Sequence, residues 1–164
     1  MHEEAKEARR FATEALDLID KPGTSLEVSI ALAAQAARLR GHAAEFVWLE
    51  MQLADIPMEW QAEIPENLLR IWEGVRADFA LDNAAERQAR KNANAMFSES
   101  RALPYDPQTV FGKSIEEMER SVALYDEIPE DARFPELTAG IENVRGVHSQ
   151  IKERLRRYLS TLVA

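Results

Sequence analysis

The chain has 164 residues and no cysteine, which excludes disulfides, thiol catalysis and cysteine-ligated metal. It holds 25 Ala, 16 Leu and 21 Glu against only 6 Gly and 7 Pro, so good helix formers dominate and points of turning are few. The net charge of −9 lies mostly in residues 1–82, with 8 basic and 16 acidic side chains, against 12 and 13 in residues 83–164; the first half should repel nucleic acid and acidic membranes.

These figures predict an all-α fold, a single-domain helical bundle of about six helices over 1–164. It divides into a three-helix segment (1–56), central helices (57–103) and a C-terminal helical hairpin (104–164). No apolar run approaches the roughly 20 residues that cross a bilayer. Met1-His2-Glu3-Glu4 lacks the basic start of a signal peptide, so a cytoplasmic location is expected.

Taken in chain order, Ala8, Phe11, Ala15, Leu18 and Ile19 form one stripe of a first helix over 3–20, which Lys21-Pro22-Gly23 stops. Thr24 with Glu27 reads as a capping box for an alanine-rich second helix running to Arg40, with Gly41 as its C-terminal cap. A third helix over 42–54 carries Phe46, Leu49 and Leu53 on a stripe with Trp48 beside it. Pro57 breaks the pattern. Pro65 suits the first turn of a fourth helix burying Leu68, Leu69, Trp72, Val75 and Phe79. A break near Asp82 and Asn83 leads into a mostly exposed helix, in which Met96 and Phe97 are the large apolar groups.

Pro104-Tyr105-Asp106-Pro107 reads as a loop. Ser114 with Glu117 is a second capping box, opening a helix with Ile115, Met118, Val122 and Tyr125 that ends before Pro129. The final helix begins near Pro135. It places Ile141, Val144, Val147, Ile151, Leu155, Leu159 and Leu162 at steps of three or four, the strongest periodicity in the chain. No segment reads as a strand.

Three groups could carry chemistry. Phe111-Gly112-Lys113-Ser114 resembles the end of a phosphate-binding loop, but position 107, where that loop needs glycine, is Pro107, so Ser114 is read as a helix cap. Glu4 and Glu7, Glu14 and Asp17, and Glu116 and Glu119 are spaced as carboxylate pairs on a helix face. A solvated acidic face is the reading preferred for them over a metal-dependent nucleotide hydrolase. His2, His42 and His148 are too scattered to argue a metal site or a nucleophilic triad. No cofactor is implied.

Candidate partner-binding residues are Trp60, expected at the surface between Pro57 and Pro65, and Arg145, Lys152 and Arg156. At about 100° per residue these three basic groups can share one face of the last helix. A protein partner or a homo-oligomer is expected, and nucleic acid is not. Arg154 and Arg157, pointing elsewhere, complete the basic end that a nucleic-acid reading would use.

Four stretches of the first third are also familiar. Residues 14–20 (Glu-Ala-Leu-Asp-Leu-Ile-Asp), 24–28 (Thr-Ser-Leu-Glu-Val) and 33–39, followed by Trp48-Leu49-Glu50-Met51-Gln52-Leu53, resemble the start of AbiTii-type domains. Where that family tends to have an acidic residue, Gly and an aromatic, this chain has Gln52 to Asp55 and then Ile56-Pro57. The resemblance implies a helical module found in bacterial phage-defence proteins, and it brings no catalytic residue. The function expected is a non-enzymatic helical interaction or regulatory module.

Overall fold

The computed structural model describes residues 2–103 and 105–164. Pro104, assigned to a loop from the sequence, lies outside them. Seven α-helices dominate the described residues: α1 (His2–Ile19), α2 (Leu26–Arg40), α3 (Ala43–Gln52), α4 (Glu66–Asp78), α5 (Asn83–Arg101), α6 (Ile115–Asp126) and α7 (Pro135–Val163). The all-α reading therefore holds. One small antiparallel pair, β1 (Ala102–Leu103) with β2 (Asp106–Val110), departs from the expectation of no strand, and its register is irregular between Ala102 and Leu103.

α3 is the central helix. Eight of its ten residues are buried, because α2, α4 and α5 all pack on it, and this is more than the single stripe the sequence suggested. The small side chains of Ala33, Ala34, Ala36 and Ala37 keep α2 close to its neighbours. Gly41 ends α2 in the left-handed conformation at φ 69°, as a C-terminal cap requires. The N-terminal cap is Ser25, not Thr24: its Oγ accepts the Glu27 N–H. Along α7 the predicted stripe is buried from Ile141 to Leu159, facing α1, α2, α5 and α6.

α5 is less exposed than its composition indicates. Ala89, Ala93 and Phe97 are buried, and Ser100 accepts the Trp48 indole N–H at 3.0 Å. Alanines with no large neighbours hid this face from a search for bulky apolar residues.

The link from α5 to α6 is fastened from two sides. Arg101, fully buried, donates Nε and Nη2 to Gln52 Oε1 at 3.0 and 2.8 Å, and Nη1 to the carbonyls of Phe111 and Lys113. Burial pulls its pKa down to about 9, with Asp55 acting in the opposite direction, so the group is cationic at neutral pH. On the other side Ile56 N–H donates to the Gly112 carbonyl at 2.7 Å, and a Cβ on Gly112 would collide with the Ile56 carbonyl oxygen. Asp55 then takes the Ser114 N–H at 2.9 Å, while Ser114 Oγ caps α6 by accepting the Glu117 N–H. This locks the start of α6 onto the end of α3.

Candidate functional site

α6 and α7 face each other along their apolar stripes, and each stripe carries one polar residue where an apolar one would fit. Glu119 lies four residues after Ile115 and three before Val122; His148 lies four after Val144 and three before Ile151. Helical spacing thus brings both to the seam. His148 Nε2 and Glu119 Oε2 are 3.0 Å apart. The same carboxylate accepts the Ser25 hydroxyl at 2.5 Å and the Leu26 N–H at 3.0 Å, both at the start of α2. One side chain of α6 therefore holds two other helices.

Burial pushes the Glu119 carboxyl up, but the hydrogen bonds from His148, Ser25 and the Leu26 backbone together outweigh it and hold the group below its usual range. An ionised carboxylate only accepts, so His148 Nε2 carries the proton that points at it. The order of the three groups decides their chemistry. Ser25 Oγ meets the carboxylate and not the imidazole, so histidine cannot take the serine proton as it does in a nucleophilic relay. The Ser25 oxygen also serves the Glu27 N–H as a cap. The arrangement is a tether.

Beside the tether, α6 and α7 leave a groove of about 700 Å³. Met118, Val122 and Ala123 form its apolar part, Glu119, Asp126, Arg145, His148 and Ser149 its polar part, and Gly23 of the α1–α2 turn closes one side. The two walls are charge-paired, since Arg145 meets Asp126 at 3.0 Å across the seam. At the corner where α6 ends and α7 begins, two large apolar side chains stand in solvent: Leu124 is 57% and Phe134 56% exposed.

The predicted site residues do not come together here. Trp60 is 4% exposed and meets Phe97 edge-on at 5.2 Å. The connection that carries it folds back onto the core, which corrects the expectation of a surface position. Of the three basic residues only Arg145 lines the groove. Lys152 and Arg156 both engage Asp20, just after α1, at 3.0 and 2.7 Å, and Arg156 also meets Glu153. Arg154 meets Glu99.

Glu116 and Glu119 diverge. Glu116 pairs outward with Arg120 at 2.7 Å while Glu119 turns into the seam, so they share no ligand sphere. No group of three or more His, Asp or Glu positioned for a metal occurs among the described residues. In the phosphate-loop look-alike the protein's own Asp55 carboxylate takes the Ser114 N–H that an anion would use. No described helix is long and apolar enough to cross a membrane.

Glu119 and His148 escaped the sequence reading as a pair, although their stripe positions were the available signal. No family model matches the chain, and no curated protein or solved structure is significantly similar to it.

Proposed function

We propose that the chain is a non-enzymatic helical interaction module whose contact surface is the α6–α7 corner. The observation that carries this reading is the pair of large apolar side chains, Leu124 and Phe134, that stand exposed where α6 ends and α7 begins. The paired charges of Asp126, at the end of α6, and Arg145 would supply register to a partner. A role in bacterial phage defence is part of the proposal and rests on the resemblance of residues 14–53 alone.

The test is the solution mass of the purified chain, together with capture from a lysate of its native cell, for the wild type and the double variant Leu124→Asp/Phe134→Asp. The expected result is a stoichiometric bound protein or a second copy, lost in the double variant while its thermal unfolding is unchanged. A wild-type chain that is monomeric and retains nothing overturns the proposal, as does equal retention by the double variant.

A further inference from the structure

We propose that α6 is a hinged cover over α7 and that Glu119 is the latch that keeps it closed. The seam between the two helices is apolar at its ends and polar in its middle. Ile115, Met118 and Tyr125 of α6 are buried, as are Ile141, Val144, Val147 and Ile151 of α7, yet Glu119 and His148 occupy the central contact. The groove beside them lacks the close packing that makes a core seam costly to part. At this point α6 is held to α2 and α7 through a single carboxylate with three donors, Ser25 Oγ–H, Leu26 N–H and His148 Nε2–H.

The two ends of α6 define the motion. Its start is fixed by Gly112 against Ile56 and by Asp55 on the Ser114 N–H, so it serves as the hinge. The far end is tied by buried Tyr125, whose hydroxyl meets Thr138 at 2.8 Å, and by the exposed pair of Asp126 and Arg145, the weaker of the two in water. A helix of 12 residues is too short to hold its own hydrogen bonds away from its packing, so releasing Glu119 lets α6 swing out about residues 112–114 and fray. That uncovers Met118 and Val122 on one side and Val144, Val147 and Ile151 on the other. It also leaves the first turn of α2 without its acceptor, so opening of α6 and fraying at Ser25–Glu27 occur together. The use of this gate rests on the interaction reading above, but opening is measured on the chain by itself, so either can fail without the other.

Native-state hydrogen exchange of the full chain, followed residue by residue through low denaturant, tests the latch. In the wild type, the amides of residues 119–126 should exchange through an opening with a smaller denaturant dependence than those of residues 47–51 in α3. In Glu119→Gln the amide oxygen can still accept from Leu26 and His148, but the charge that strengthens those bonds is gone. Exchange in 119–126 and at Leu26–Glu27 should rise about tenfold, the value of one hydrogen bond to a charged group, with α3 unchanged. If wild-type α6 exchanges only through the global opening that exposes α3, there is no gate. If Glu119→Gln speeds α3 and α6 equally, the carboxylate is not the latch. The wild-type profile decides the first point even if the variant does not fold.

Discussion

Single side chains at two places govern how α6 sits on the rest of the molecule. Gly112 is required for space: an added methyl would strike the Ile56 carbonyl oxygen, which belongs to a backbone held by its own N–H on Gly112. Gly112→Ala should therefore lose about 1–3 kcal/mol or more, the range of a forced overpacking with backbone shift, measured by urea unfolding. Glu119 is required for charge. Its pKa in the folded state lies below the unfolded value near 4.5. The stability it contributes is thus complete above that value and is lost as pH falls through the lower folded pKa. Wild type should lose stability on acidification below about pH 5, and Glu119→Gln should lose less over the same window; unfolding midpoints from pH 7 to pH 3 give the comparison. Asp20 and Glu86, also held low by lysine and arginine partners, act with the same sign. The difference between the two proteins isolates Glu119 from both.

Among the elements, those that came clearly from the sequence were set by local rules. Periodic stripes located α1 and α7, Ser114 and Gly41 marked a start and a stop, and the break at residues 79–82 separated α4 from α5 with Asp82 capping the latter. Elements that depend on distant partners were not legible. Trp60 sits among charged and polar neighbours between two prolines, which looks like an exposed connection, and distant core residues, Phe97 37 positions later among them, give it a place in the core. Because the connection is anchored in this way, Trp60→Ala should cost about 3–5 kcal/mol, as for a core aromatic, where a surface tryptophan would cost little; urea denaturation distinguishes the two. The β1–β2 pair was hidden by its shortness, by Pro107 within β2 and by an irregular register, none of which gives an alternating pattern. The tether of Ser25, Glu119 and His148 joins residues up to 123 positions apart, and its only local trace is a polar side chain on each of two apolar stripes. Arg101 left no trace, since a lone arginine in the last turn of a helix fits a surface position equally well.

Across the whole molecule, the apolar core runs continuously from Ala12 to Leu159 and draws on every helix. The surface charge is organised around it in pairs, so the basic end of α7 is largely answered by carboxylates just after α1 and on α5 and presents less free positive charge than its composition implies. The same pairing shows how the chain is closed. Asp20 near the end of α1 holds Lys152 and Arg156, and Arg9 donates to the Val163 carbonyl at 2.8 Å. The first and last helices are therefore neighbours in space although they are made at opposite times. During synthesis α1 and α2 can pair as soon as they emerge, but the side of α1 meant for α7 must wait for residues as late as Leu159. At the usual rate of about 5–20 residues per second that wait is on the order of ten seconds. Throughout it a nascent chain displays an incomplete bundle to the cell, and α7, the longest and most regular helix, is the piece whose arrival ends that exposure.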